Sequence, residues 1–295
     1  MAIKNLIGII LFIHCCTAQV LWPDLRIKYD LNAFNAFYHM GRTLTEIKDE
    51  NHFVQDPTQQ SCVGELDNGA FYYGYRLSDP NDTVLSVLYD VQGTVAGVQA
   101  WFLKDSVLKS PETSTFRFDQ VWSYQNKTVN GKEFFVSTAY FVRPETICTT
   151  GRSESSLDTE GTGYGLWFQR GASPLESEEV PMKRTDAIAK GWTKNSCFVG
   201  MGRHNFYEVD TYDETNCTKS EGYFLLYNKQ EELSGFGFRI QGLVESRYIE
   251  QPPNIAISLI LGDPVPQCVL DENTKHGSTT MHVFFTSAPW QILCL

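Results

Sequence analysis

The stretch Tyr89-Asp90-Val91-Gln92-Gly93-Thr94-Val95-Ala96-Gly97 joins two apolar runs, and Tyr227-Asn228-Lys229-Gln230-Glu231-Glu232-Leu233-Ser234-Gly235 does the same in the second half of the chain. Each reads as a polar turn between two strands. The two share only Tyr, Gln and Gly, but the order of features around them agrees. Cys62-Val63-Gly64 precedes the first and Cys197-Phe198-Val199-Gly200 the second, whereas Ala139-Tyr140-Phe141-Val142-Arg143-Pro144 leads to Cys148 and Val283-Phe284-Phe285-Thr286-Ser287-Ala288-Pro289 leads to Cys294. This order predicts a diverged tandem β repeat.

Working outward, the chain from Cys62 onward consists of short β-branched and aromatic runs punctuated by Gly, Pro, Asn and Asp. Strands are predicted at Val84 to Tyr89, Val95 to Leu103, Phe116 to Tyr124, Glu133 to Val142, Gly165 to Gln169, Gly222 to Asn228, Ser234 to Leu243, Ile255 to Leu261 and Thr280 to Thr286. Asn130-Gly131 carries the signal of a two-residue hairpin turn. Upstream, apolar residues at 31, 34, 37 and 38 between Asp30 and Gly41 predict an amphipathic helix, and Thr43-Leu44-Thr45-Glu46 predicts a capping box that opens a second, shorter one. The expected fold is mainly β, a disulfide-bonded antiparallel sandwich or barrel-like arrangement with a short helical N-terminal segment. Its expected divisions are a leader at 1–18, a helical segment at 19–61, β repeat 1 at 62–150, a connector at 151–196 and β repeat 2 at 197–295, the repeats being free to share one core.

The leader reads MAIKNLIGIILFIHCCTA, with one Lys, an apolar run too short to span a bilayer, and small residues at its end, which is the pattern of a signal peptide. Beyond it six cysteines remain, an even number suited to an oxidising compartment. If equivalent cysteines pair equivalently, Cys62 bonds Cys148, Cys197 bonds Cys294, and Cys217 bonds Cys268. Asn81, Asn126 and Asn216 each open an Asn-x-Ser/Thr acceptor for glycosylation and belong on exposed turns. The expected product is a secreted, extracellular glycoprotein with no membrane span.

Charge narrows the partners. With 24 Lys+Arg against 35 Asp+Glu, the formal charge is −11, which disfavours nucleic acid and anionic membrane surfaces and permits a cationic or metal partner. Catalytic signatures are weak. Gly151-Arg152-Ser153-Glu154-Ser155 fails the last position of a nucleophile elbow, and Gly161-Thr162-Gly163-Tyr164-Gly165 lacks the Lys-Ser/Thr of a phosphate loop. The acidic runs at Glu208, Asp210, Asp213 and Glu214, and at Glu176, Glu178 and Glu179, lack the spacing of a calcium loop. No pair of histidines has single-element metal spacing. His204 and His282, in corresponding regions of different strands, are candidates to converge on a metal, and with Met201 and Met281 they supply the imidazole and thioether donors that copper accepts. Aromatic pairs such as Phe206-Tyr207 suit either a core or the stacking wall of a cleft. The function expected from these features is that of an extracellular binding or matrix protein whose partner is a protein, a glycan or a small ligand. The alternative is a secreted metal-dependent or carbohydrate-active enzyme. No cofactor and no catalytic residue is assigned.

Overall fold

The computed structural model describes residues 22–66, 69–109, 116–193, 195–213 and 217–294. Residues 1–18, read above as a leader, and Asn216 lie outside them. In chain order the elements are β1 (Arg26–Ile27), β2 (Tyr38–His39), α1 (Leu44–Asp49), β3 (Val54–Gln55), β4 (Val63–Leu66), β5 (Gly69–Tyr73), β6 (Tyr75–Asp79), β7 (Asp82–Tyr89), β8 (Val95–Leu103), α2 (Lys104–Val107), β9 (Gln125–Val129), β10 (Lys132–Tyr140), α3 (Pro144–Ile147), β11 (Trp167–Gln169), β12 (Ser177–Glu179), α4 (Arg184–Ala189), β13 (Cys197–Phe198), β14 (Gly202–Phe206), β15 (Tyr223–Tyr227), β16 (Leu233–Gln241), α5 (Asn254–Leu261), α6 (Gln267–His276) and β17 (Ser278–Phe284).

The strands form two large antiparallel sheets. One runs β12-β11-β10-β8-β7-β6-β3, with β9 also paired to β10; the other runs β13-β14-β15-β16-β17-β1-β2; β4 and β5 make a separate hairpin. The connection between the halves is therefore no plain loop, because β11 and β12 extend the first sheet while the N-terminal β1 and β2 extend the second.

Strand alternation explains why the sheets face each other. On β16 Phe236, Phe238 and Ile240, and on β17 Met281 and Val283, enter the same buried cluster as Val98, Ala100 and Phe102 of β8. Trp22 closes one end of that cluster, stacking on Phe285 with ring centroids 4.0 Å apart and donating Nε1–H to the Leu233 carbonyl at 3.0 Å. Between the sheets, the rings of Phe168 and Tyr223 stack at 3.9 Å, and Tyr223 Oη donates to the Thr138 carbonyl at 3.0 Å. One core thus contains residues of both halves.

The two turn stretches have parallel hydrogen bonding. Asp90 Oδ1 accepts from Gln92 N and Thr94 N, and Asn228 Oδ1 accepts from Gln230 N and Glu232 N. Tyr89 Oη donates to Gly41 O at 2.5 Å, as Tyr227 Oη does to Pro181 O at 2.8 Å. The first residue of α1 donates to Gly93 O, and that of α4 to Glu231 O.

Several local expectations are corrected. Asp30 to Gly41 is not an amphipathic helix: only Ala33–Asn35 makes a 3-10 turn, Leu31 and Phe34 are exposed, Phe37 has φ +55°, and Tyr38–His39 pairs with β1. Within this irregular segment the adjacent Ala36 and Phe37 pack with Phe224, Leu226 and Phe284 of the second sheet. The following helix does open with the capping box, Thr43 Oγ1 accepting from Glu46 N and the Glu46 carboxylate from Thr43 N. Phe116 to Tyr124 is not a strand, since the place beside β10 belongs to β9, whose hairpin turn is Asn130-Gly131 with φ +51° and +75°; Phe116, Phe118 and Tyr124 instead pack as a ring cluster. Ile255 to Leu261 is helix α5, started after Pro253 and ended at Gly262 with φ +76°. A short apolar run has no periodicity to separate helix from strand, and the flanking Pro and Gly decide it.

Three disulfides are present, Cys62–Cys148, Cys197–Cys294 and Cys217–Cys268. Among the described residues no helix is long and apolar enough to cross a membrane. Both features are compatible with an extracellular protein. Asn81 lies exposed in the turn before β7, and Asn126 is exposed on β9 rather than on a turn.

Candidate functional site

The second sheet has two buried faces, and the face turned away from the main core holds the site. On that face β14 presents His204 and Phe206, β15 Phe224 and Leu226, and β17 Thr280, His282 and Phe284, whereas β16 presents Gly235, Gly237 and Arg239. The glycines make the face concave. A Cβ on Gly237 would stand 1.9 Å from Cζ of Phe224, so the Phe224 ring occupies the space of the missing side chain. Over this trough lie residues 28–31, the 206–212 segment, the turn from Val244 to Pro253, and helices α5 and α6. Between sheet and cover is a cavity of about 710 Å³.

Its lining is mainly apolar. Phe198, Phe206 and Phe224 come from the sheet, and Ile249, Ile257 and Ile260 from the cover. Six of the eight α5 residues are apolar, with Ile255 and Leu259 largely exposed. The Cys217–Cys268 disulfide ties α6 to the segment before β15, which fixes part of this cover.

Four acidic residues line the cavity, Asp30, Glu221, Glu245 and Glu250. Glu250 is engaged on all sides: its Oε1 accepts from Tyr29 N at 2.6 Å, and its Oε2 accepts from Thr280 Oγ1 at 2.9 Å and from His282 Nδ1 at 3.0 Å. Glu221 is different. Its Oε2 is buried without a hydrogen-bond partner, and burial pushes its pKa up to about 7 against the lowering influence of Ser123 and Arg170. Arg239, also at the cavity, hydrogen-bonds Ser220 and Gln241.

The structure brings His204 and His282 together. Their ring centroids are 5.8 Å apart and the planes are nearly perpendicular, both rings resting on Phe224. His204 is 1% and His282 4% exposed; no side chain hydrogen-bonds either nitrogen of His204 or Nε2 of His282, and the backbone of Gly202 stands beside the His204 ring. Burial, with His282 adding to it, holds His204 well below the usual histidine range, hence neutral. Met201 lines the same cavity, but Met281 does not join it. On β17 it alternates with His282 and is buried in the main core. The acidic run near 208–213 does not build a metal centre: among the described residues no three His, Cys, Asp or Glu side chains are grouped to hold an ion. Glu221, Glu250, Tyr29 and the apolar α5 are site residues that sequence reasoning missed; the signal for the trough was the Gly-x-Gly of Ser234-Gly235-Phe236-Gly237 within a strand, since interior strand glycines mark a close approach.

No family model, no curated protein and no solved structure matches this chain.

Proposed function

We propose that this protein is a secreted, glycosylated extracellular binding protein that encloses a mainly apolar small molecule between the outer face of its second sheet and the α5–α6 cover. The cavity carries this reading: about 710 Å³ lies within the roughly 300–1,000 Å³ of small-molecule pockets, and its few polar groups converge on an otherwise apolar wall. Burial of a ligand's apolar surface supplies the affinity, at about 25 cal/mol per Å² removed from water before the costs of association. Glu221, with its unpaired carboxyl oxygen, favours a ligand carrying a hydrogen-bond donor.

The two halves are, in this reading, diverged copies of one unit that have exchanged their opening strand pairs, β1–β2 for β11–β12. The parallel turn hydrogen bonds support it, as do the matching places of α1 and α4. Divergence then created the cavity. On the outer face of the first sheet Gln99 and Thr138 are paired by a 2.9 Å hydrogen bond beneath Trp101, filling the space, whereas the corresponding positions of the second sheet are Gly237, His282 and Arg239.

Native mass spectrometry of the protein secreted by eukaryotic cells, compared with its denatured mass, tests the binding reading. Excess mass of a drug-sized molecule, lost on denaturation, is expected. A chain that neither carries such a mass nor takes one up from a cell lipid extract contradicts it.

A further inference from the structure

We propose that His204, His282 and Met201 form a binding site for monovalent copper in the wall of the cavity. The inference is separate from the identity of the cavity's ligand and rests on the two imidazoles. Three of their four ring nitrogens are buried without a hydrogen-bond partner. Each such group costs about 1–3 kcal/mol in a folded protein, so an unpaired cluster calls for an occupant. The nitrogens lie out of contact with water, and the two rings do not hydrogen-bond each other. A bare ion held between the rings satisfies nitrogens that no water reaches.

The surroundings define which nitrogen faces the ion. Glu250, fixed by Tyr29 N and Thr280 Oγ1, accepts from His282 Nδ1, which places the ring hydrogen there and leaves the Nε2 lone pair free. A carboxylate behind a ligating histidine in this way orients the ring and raises its basicity. Gly237, paired with His282 across the ladder, carries no side chain, and the Phe224 ring that contacts both imidazoles occupies that space. Two metal–nitrogen bonds of about 2.0–2.1 Å, with the ring radii added, span about 6 Å between centroids when collinear and less when bent toward a third donor. The observed 5.8 Å suits a bent pair.

The donor set selects the metal. Ordinary divalent sites need three or four His, Cys, Asp or Glu ligands, and no three are grouped among the described residues. Two imidazoles and a thioether are soft donors of low number, which suits monovalent copper. Met201, 6% exposed, is the sulfur on the cavity side. The single positive charge is countered by Glu250 through His282. Copper is bound as the monovalent ion, and no electron transfer is involved.

The test is an anaerobic titration of the full glycosylated chain with Cu(I), buffered by bathocuproine disulfonate under ascorbate, with X-ray absorption of the loaded protein. One Cu(I) per chain is expected, with two nitrogen and one sulfur neighbours. His204→Phe and His282→Gln should lose retention against the chelator, Glu250→Gln should weaken it about 10–100-fold, and Met281→Leu should leave it unchanged. Met201→Leu, close to volume-conserving, should remove the sulfur neighbour, and it keeps the test open if a histidine variant fails to fold. Failure of the native chain to hold Cu(I) against the chelator overturns the site, as does equal retention by folded His204→Phe and His282→Gln. Uptake of an apolar fluorophore, read on the same samples, reports the cavity independently, so the copper and cavity readings fail separately.

Discussion

Individual residues at the cavity carry unusual energetic roles. Glu221 binds its proton more tightly in the folded protein than in the unfolded chain, with its pKa raised from 4.5 to about 7. For a carboxyl group with a raised folded value, the native state holds more protons across that window, so stability falls as pH rises from the ordinary carboxylate range through about 7. Glu221→Gln removes this effect. The variant is expected to be more stable than the native chain at about pH 8, by at most about 3 kcal/mol, with the gain fading toward about pH 5. Thermal melts at both pH values decide it, and a gain equal at the two would contradict the assignment. Gly237 acts sterically. Gly237→Ala places a Cβ against the Phe224 ring and should cost about 1–3 kcal/mol while driving that ring into the cavity, which reduced fluorophore capacity would report. At this scale the sequence offered His204 and His282 as residues that could converge, and their rings lie 5.8 Å apart. Glu221 and Glu250 were not legible, because a carboxyl group in a loop has no sequence mark of burial, and Met281 was misplaced because, as the strand neighbour of His282, it must face the opposite side.

At the level of elements, the cover is where structure and sequence part most. β7, β8, β10, β15, β16 and β17 fall close to their predicted positions because their β-branched and aromatic runs are long and bounded by Gly, Asn or Asp. α5 was read as a strand, and α6 was not foreseen; six of the eight α5 residues are apolar and α6 is polar from Asp271 onward, so neither carries a long one-sided stripe. The Cys217–Cys268 bond anchors α6, giving it a specific expected effect. Replacing both cysteines by serine should weaken ligand uptake more than a Cys62→Ser/Cys148→Ser pair does, because the latter bond supports the closed outer face of the first sheet. Both pairs should lower stability by about 2–5 kcal/mol. Denaturant melts with fluorophore titration separate the two effects, and equal loss of uptake in both double variants would contradict the role given to α6. The α1 capping box is a smaller element-level contribution: Thr43→Ala should cost about 1 kcal/mol in the same melts.

In the whole molecule, two sheets share one core, and each half contributes its opening strand pair to the sheet formed mainly by the other. Order along the chain predicted a β duplication, which remains our proposal, and the same cysteine pairs the structure contains; it did not reveal that β1–β2 join the second sheet and β11–β12 the first, since strand neighbours distant in sequence leave no local pattern. The functional asymmetry lies in the outer faces, one closed by Trp101 and its neighbours and the other, where the Phe224 ring lies over Gly237, bordering the cavity under α5 and α6. The central claim is that this second face binds an apolar molecule under α5 and α6. Its most direct measurement is titration of the delipidated protein with an environment-sensitive apolar fluorophore, in parallel with Ala256→Trp, whose added ring would fill the cavity from α5. The account predicts saturable uptake of one molecule by the native chain and its loss in a folded Ala256→Trp variant; undiminished uptake by that variant would contradict it.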